Sequence, residues 1–133
     1  MAKTTSHKKS VWVVDDDPVA RLLINKTLER TGLFEASREF EDGSDLIKAL
    51  KELTENSIEE PDLILLDINM PEKDGWDVLT FIKDENIPFI RCQLVLLTSS
   101  INPKDKARAF SYDSVDEYLN KPLAKEDLQS LNL

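Results

Sequence analysis

Polar residues that could do chemistry stand directly after short apolar runs in this sequence. They are Asp15, Asp16, Asp17, Asp67, Thr98, Ser99 and Lys121. Carboxylates crowded within a few ångströms of one another either raise a pKa or recruit a cation. An all-oxygen ligand set favours a hard cation such as Mg²⁺, which takes one or two carboxylates and keeps several waters. With an ammonium and a hydroxyl group opposite, such a site is equipped for phosphoryl transfer, in which a carboxylate can be the nucleophile.

Five runs that favour β-strands alternate with five helical patterns, and this alternation sets where the polar residues lie. The predicted strands are 10–14, 34–41, 62–67, 93–98 and 115–119, and the predicted helices begin near Pro18, Ser44, Trp76, Pro103 and Lys125. Parallel strands joined by right-handed helical crossovers are the usual solution for strict alternation. The sequence therefore predicts an α/β fold, with a five-stranded parallel sheet and five helices on both of its faces.

Two of the predicted strands have contrasting patterns. Residues 63–66 are apolar without interruption, which is typical of a strand buried on both faces of a parallel sheet. Residues 34–41 alternate instead, with Phe34, Ala36 and Phe40 expected on one side and polar residues on the other. The sequence thus predicts an inner strand and an edge strand with one solvent-exposed face.

In such sheets, ligands bind outside the carboxyl ends of the strands, near the point where the strand order reverses. We therefore expect the polar residues after the strands to meet at one edge. Each also has an ordinary interpretation. Asp17 before Pro18 is typical of a helix cap, while Asp67 could form a turn with Asn69 and Thr98 suits any strand. The meeting of such residues from separate strands is what favours a functional site.

The composition excludes several classes of function. Seventeen basic and 26 acidic residues give the 133-residue chain a net charge of −9, which repels phosphate backbones and anionic lipid. We therefore expect neither nucleic-acid nor membrane binding. The single cysteine, Cys92, allows no internal disulfide and favours a reducing, cytoplasmic setting. Residues 1–9 are polar and basic, and they are predicted to be a flexible tail before a single domain, 10–133.

Four segments together resemble the receiver domain of two-component response regulators. They are VVDDDP at 13–18, LLDINMP at 65–71 with Asp74 and Gly75 after it, LTS at 97–99 and YLNKP at 118–122. They occur in the order typical of the family, and the resemblance extends over residues 10–133. It implies a doubly wound, flavodoxin-like sheet. It also implies a signalling domain that accepts a phosphoryl group from a sensor histidine kinase or a histidine phosphotransfer protein.

The resemblance assigns the acidic residues to phosphoryl transfer and metal binding. Asp67 would be the phospho-acceptor. Asp16, Asp67 and the backbone carbonyl of Asn69 would ligate Mg²⁺ directly, and Asp15 would hold the ion mainly through water. The domain would catalyse only its own phosphorylation and dephosphorylation, and it is therefore not expected to be an enzyme in the usual sense.

The resemblance also assigns catalytic and switch residues. Lys121 and Thr98 would contact the phosphoryl group, and the peptide bond after Lys121 resembles one that the family keeps cis. Tyr118 would be a switch aromatic that turns inward when Thr98 moves toward the phosphate. The helix 103–112, which has few apolar residues, and the last helix form the predicted output face for a downstream protein. Two copies could pair through the same face, 103–133.

Other functions that use similar residues fit the sequence less well. A phosphatase of the haloacid-dehalogenase type needs a second Asp where Asn69 stands. A dinucleotide or P-loop module needs a glycine-rich loop after the first strand, where none of the three glycines lies. A calcium loop beginning at Asp67 would need glycine in place of Glu72. The alternative that stays open is a phosphorylation-independent interaction module on the same fold, and the complete set of acidic, hydroxyl and lysine residues argues against it.

Overall fold

Strands and helices alternate strictly in residues 8–133, which are the residues that this computed structural model describes. The strands are β1 Lys9–Val14, β2 Phe34–Phe40, β3 Leu63–Leu66, β4 Gln93–Thr98 and β5 Glu117–Asn120. The helices are α1 Pro18–Thr31, α2 Gly43–Thr54, α3 Gly75–Asp84, α4 Pro103–Phe110 and α5 Lys125–Gln129. Of the predicted tail, residues 1–7 lie outside the described part, and Lys9 is the first residue of β1. None of the helices between residues 8 and 133 combines the length and hydropathy needed to cross a membrane.

All five strands are parallel and lie side by side in the order β2-β1-β3-β4-β5. The chain passes outward from β1 to β2 and then returns to place β3 on the other side of β1. The strand order therefore reverses between β1 and β3, as in other doubly wound, flavodoxin-like sheets. The predicted fold class is confirmed, and the crevice at this reversal is where a ligand is expected.

The helices cover both faces of the sheet and form two separate apolar cores. On one face, α1 and α5 pack against the strands through Ile24, Leu28 and Leu128. On the other face, α2, α3 and α4 contribute the buried residues Leu46, Ala49, Leu50, Val78, Leu79, Ile82 and Ala109. Strand β3 lies in the middle of the sheet, and all four of its side chains are buried. Burial on both faces explains its uninterrupted apolar sequence.

Strand β2 is an edge strand, as predicted, but its face pattern differs from the prediction. The register between β1 and β2 shifts after Val11, so that Ser37 is an extra residue on β2. A one-residue bulge exchanges the faces of the residues that follow it. Phe34 packs in the core beneath α1, whereas Phe40, which lies beyond the bulge, packs in the core of the opposite face. Ala36 precedes the bulge and is exposed. The expectation that these three residues share one side was wrong for Phe40, because the bulge lies between it and the other two.

The end of α4 and the start of β5 each differ from the predicted position by two residues. Helix α4 ends at Phe110, and β5 begins at Glu117 rather than at position 115. The backbone N–H of Val115 donates to the carbonyl of Tyr112, so this segment is a turn that precedes the pairing with β4. The start of α1 is as predicted, because the Asp17 carboxylate accepts a backbone N–H of the first turn.

Candidate functional site

Three carboxylates meet at the carboxyl edge of the sheet, where the strand order reverses. Asp15 and Asp16 follow β1, and Asp67 follows the neighbouring β3. Each residue offers one carboxylate oxygen, and the three oxygens lie within 4.8 Å of one another. Asp15 and Asp67 are buried, with 1% and 6% exposure, whereas Asp16 is exposed. The structure thus brings the predicted acidic residues together and leaves one side of the cluster open to water.

The ammonium group of Lys121 reaches this acidic cluster from the end of β5. Its Nζ lies 2.5 Å from Asp15 Oδ2 and 3.3 Å from Asp67 Oδ2. Burial disfavours the charged form of Lys121, but the hydrogen bond to Asp15 and the charge of Asp67 outweigh it and raise the pKa of Lys121. Lys121 therefore stays protonated between the two buried carboxylates.

The pKa of Asp67 is raised above its usual range. Burial is the largest cause, and the charge of Asp15 adds to it, while Lys121 acts in the opposite direction. One ammonium group balances only one of the three carboxylates. Their oxygens are the donors that a hard divalent cation prefers, and the exposed side at Asp16 leaves room for the waters that such an ion keeps. The residues of the cluster therefore fit a metal ion.

The loop after β3 brings a glycine against the backbone of Asp67. A Cβ atom at Gly75 would lie 2.7 Å from the Asp67 carbonyl oxygen and 2.7 Å from Ile68 Cα. The N–H of Gly75 donates to the Ile68 carbonyl at 2.8 Å, which joins the loop to the first turn of α3. Only a residue without a side chain fits this close approach. A sequence motif contains Gly75, but the contact that requires glycine is visible only in the fold.

Arg21 on α1 holds the backbone of Asp15, a role that sequence reasoning missed. Its Nη1 donates to the Asp15 carbonyl at 2.6 Å, and its Nε pairs with Glu39 Oε1 on β2 at 2.9 Å. The Arg21 side chain is only 13% exposed. No pattern in the sequence signals this contact, because it joins a helix to the ends of two different strands.

Thr98, at the end of β4, is fully buried. Its Oγ1 accepts a hydrogen bond from the backbone N–H of Ser100 at 3.1 Å. Its carbonyl accepts from the backbone N–H of Lys121 at 2.9 Å. Within residues 8–133, no hydrogen bond links the Thr98 side chain to the acidic cluster. Thr98 thus lies at the same edge as Asp67, on the adjacent strand, without contacting it through a hydrogen bond.

Tyr118 and Asn69 are the remaining predicted site residues, and they differ in burial. Tyr118 on β5 points into the core with 7% exposure, and its hydroxyl donates to the Ser100 carbonyl at 3.4 Å. Asn69 is exposed, and its backbone N–H lies 3.4 Å from Asp67 Oδ1. The peptide bond after Lys121 is cis, as the resemblance implied. Asn69 therefore lies beside Asp67 at the carboxyl edge, whereas Tyr118 lies within β5 and reaches this edge through its hydroxyl contact with Ser100.

Comparison with known proteins identifies the family. Residues 11–131 match the family model described as the response regulator receiver domain. The chain belongs to this family. The chemotaxis protein CheY of Halobacterium salinarum is 31% identical over 117 residues, which are 88% of each chain. The DNA-binding transcriptional regulator NtrC of Proteus hauseri is 33% identical over 124 residues, which are 93% of this chain but only 24% of NtrC.

Solved structures show the same fold for this receiver domain. A two-component response regulator from Cytophaga hutchinsonii matches with a TM-score of 0.80 and 34% identity, over 92% of this chain and 93% of that one. The phosphorylated cyanobacterial phytochrome response regulator RcpA matches with a TM-score of 0.70 and 30% identity, over 92% and 86% of the two chains. The flavodoxin-like architecture deduced from the strand order is therefore that of response regulators.

Receiver domains are signalling domains rather than classical enzymes, and they interact with histidine kinases or phosphotransfer proteins. A segment of the sensor histidine kinase CheAY of Helicobacter pylori is itself 31% identical to this receiver domain over 123 residues, although the match covers 14% of that protein. In the present receiver domain, the acidic cluster and Lys121 concentrate at one edge the charges on which phosphoryl chemistry depends.

Proposed function

We propose that this receiver domain accepts a phosphoryl group on Asp67 in a Mg²⁺-dependent reaction. The donor would be a phosphohistidine of a sensor histidine kinase or a histidine phosphotransfer protein. The observation that carries the proposal is the meeting of three carboxylate oxygens within 4.8 Å, with Lys121 between the two buried ones. Phosphoryl transfer depends on positioning and on cationic stabilisation of spread negative charge. We place the reaction in the cytoplasm, which the unpaired Cys92 favours.

Asp67 is the buried carboxylate whose contacts leave it freest to react. Both oxygens of Asp15 are held in short hydrogen bonds, by the Asp17 N–H at 2.9 Å and by Lys121 at 2.5 Å. The contacts of Asp67 are longer, at 3.3 Å to Lys121 and 3.4 Å to the Asn69 N–H. In the transfer, an Asp67 oxygen forms a bond to phosphorus while the P–N bond of the phosphohistidine breaks, and the imidazole, protonated on its other ring nitrogen, takes the bonding electrons and leaves as a neutral histidine side chain. The product is an aspartyl-phosphate.

The proposed metal site lies on the exposed side of the acidic cluster. Asp16 and Asp67 would ligate Mg²⁺ directly with the carbonyl of Asn69, and Asp15 would hold the ion mainly through water. When bound, the ion supplies positive charge that offsets the carboxylates and the phosphoryl oxygens. The exposure of Asp16 supports this arrangement, because it gives solvent access for binding and exchange.

Lys121 and Thr98 are the proposed protein partners of the phosphoryl group. The Lys121 ammonium lies 3.3 Å from Asp67, near enough to contact an oxygen of a group attached there. Thr98 Oγ1 accepts a hydrogen bond from Ser100, which leaves the proton of its own hydroxyl available for donation. We therefore assign Lys121 to charge compensation and Thr98 to hydrogen bonding of a phosphoryl oxygen.

The proposed switch links this hydroxyl to α4. A Thr98 hydroxyl that turns toward the phosphoryl group displaces Ser100, whose carbonyl accepts the hydrogen bond from Tyr118. Helix α4 follows the same loop and has a single buried residue, Ala109, so little apolar area holds it. Phosphorylation adds about −1.5 to −2 charges and biases such weakly held segments. The output face, for a downstream protein or a second copy, is proposed at residues 103–133.

Phosphorylation by acetyl phosphate tests the proposal. In Mg²⁺, the intact protein should gain one phosphoryl adduct by mass spectrometry, and Asp67→Asn should gain none. Asp113→Asn changes an exposed carboxylate in the turn after α4 and is the matched control that should react like the wild type. Chelation of Mg²⁺ by EDTA should abolish the adduct. An adduct on Asp67→Asn would refute the assignment, and no adduct on the wild type would favour a phosphorylation-independent interaction module.

A further inference from the structure

We propose that Asn120 is a positioning residue for phosphoryl transfer, because its side-chain amide holds the loop that leaves β4 with Thr98. This inference rests on the proposed function. Asn120 is the last residue of β5 and directly precedes Lys121. It also pairs with Thr98 across the sheet, so it lies next to both residues that we assign to the phosphoryl group, and its side-chain amide donates to the loop rather than to the acidic cluster.

The amide of Asn120 donates to two carbonyl groups of the loop. Its Nδ2 lies 2.6 Å from the Ser100 carbonyl oxygen and 3.4 Å from that of Thr98. A primary amide carries two N–H donors, so it can serve both carbonyls. The backbone N–H of Lys121 donates to the same Thr98 carbonyl at 2.9 Å. The end of β5 is thus hydrogen-bonded to the end of β4 and its loop through one side chain and one backbone N–H group.

Ser100 connects Asn120 to the Thr98 hydroxyl through hydrogen bonds. The N–H of Ser100 donates to Thr98 Oγ1 at 3.1 Å, and its own hydroxyl donates to Asp105 Oδ2 on α4 at 2.5 Å. Ser100 therefore joins the Thr98 side chain, the start of α4 and the end of β5. By holding Ser100 in place, Asn120 keeps the Ser100 N–H donating to Thr98 Oγ1. The hydroxyl proton of Thr98 then remains available for a different acceptor, such as a phosphoryl oxygen.

Two side chains donate hydrogen bonds to the Ser100 carbonyl, and the bond from Asn120 is the shorter one. Tyr118 also donates to the Ser100 carbonyl, but at 3.4 Å rather than 2.6 Å. A carboxylate in place of the amide would have the same shape and no donor, and it would face two carbonyl oxygens. Because displacements of about 1 Å can slow a positioned reaction severely, the loss of this donor should lower the phosphorylation rate.

The test compares Asn120→Ala and Asn120→Asp with the wild type, using acetyl phosphate over a series of Mg²⁺ concentrations up to saturation. A small donor is used so that docking of a partner protein has no influence. Loss of a neutral hydrogen bond should slow phosphorylation of Asp67 about three- to tenfold in Asn120→Ala, and at least as much in Asn120→Asp. The Mg²⁺ concentration for half-maximal rate should not change, because Asn120 is no metal ligand. Lys48→Ala, which changes an exposed side chain on α2 outside the proposed output face, is the control and should react like the wild type.

Three results would overturn the inference. The first is a rate for Asn120→Ala within about twofold of the wild type, and the second is full activity in Asn120→Asp, which retains the shape but not the donor. The third is a slower reaction that needs more Mg²⁺, which would place the effect in the acidic cluster. A wild type that gains no phosphoryl group refutes the proposed function as well. A wild type that reacts, with both variants unchanged, refutes the role of Asn120 alone.

Discussion

Replacing Gly75 with alanine tests whether the approach of α3 to the end of β3 positions Asp67. The added Cβ would lie 2.7 Å from both the Asp67 carbonyl oxygen and Ile68 Cα. Carbon–carbon contacts are optimal at about 3.5 Å or more, so the new methyl group would be about 0.8 Å too close to Cα. Both atoms belong to the backbone and cannot rotate away. The start of α3 or the Asp67 segment must therefore shift.

We expect Gly75→Ala to lower the free energy of unfolding by about 2–3 kcal/mol, in the upper part of the range for overpacking. Urea denaturation would show a lower midpoint with an unchanged slope. We also expect slower phosphorylation by acetyl phosphate, because the carboxylate of Asp67 moves with its backbone. Both measurements use the same protein and together separate loss of stability from loss of geometry.

Gly32→Ala is the matched control for this prediction. Gly32 has a φ of 69° after α1, and an added Cβ there would meet no atom within 4 Å. Its substitution should cost only the strain of a left-handed backbone, about 1 kcal/mol, and leave phosphorylation unchanged. A Gly75→Ala variant as stable as the wild type would show that the backbone accommodates the added methyl group without strain. A Gly75→Ala variant that is phosphorylated at the wild-type rate would show that this close approach does not position Asp67.

Three further substitutions probe the surroundings of the site and the opposite end of the sheet. Lys121→Met removes the ammonium group between two buried carboxylates, so urea denaturation in EDTA should show a loss of about 2 kcal/mol that Mg²⁺ partly restores; unchanged stability would contradict this. Arg21→Met should cost about 1–2 kcal/mol and slow phosphorylation, because the Asp15 carbonyl loses its charged donor; a wild-type rate would show that this contact does not position the site. Glu60→Gln tests pH dependence: burial raises the pKa of Glu60, but hydrogen bonds from the backbone N–H groups of residues 90–92 outweigh it and hold the pKa below 4.5. A carboxyl group whose pKa is lowered in the folded state stabilises the fold above its unfolded-state pKa, and this stabilisation is lost as the pH falls through the folded-state pKa. The difference in urea midpoint between the wild type and Glu60→Gln should therefore be constant from about pH 7 to 5.5 and shrink below about pH 4.5. A pH-independent difference would contradict this.

Short-range patterns in the sequence were enough to predict the order and type of the elements. The apolar run 63–66 identified the buried middle strand, and Asp17 with Pro18 marked the start of α1. Such signals are readable because a strand, a helix or a cap depends on residues only a few positions apart. The shared edge of the polar residues followed in turn, because parallel strands end on the same side of a sheet.

Only the tertiary structure decided which side chains touch within the site. Lys121 meets Asp15 across 106 positions of the chain and Asp67 across 54. The bulge at Ser37 exchanged the faces of the residues that follow it on β2. The hydrogen bond of Asn120 to the loop after β4 has no counterpart in any periodic pattern. These contacts depend on strand register and on how loops pack against neighbouring elements. Both are determined by residues that are far apart in the sequence. Local periodicity carries no information about such pairings.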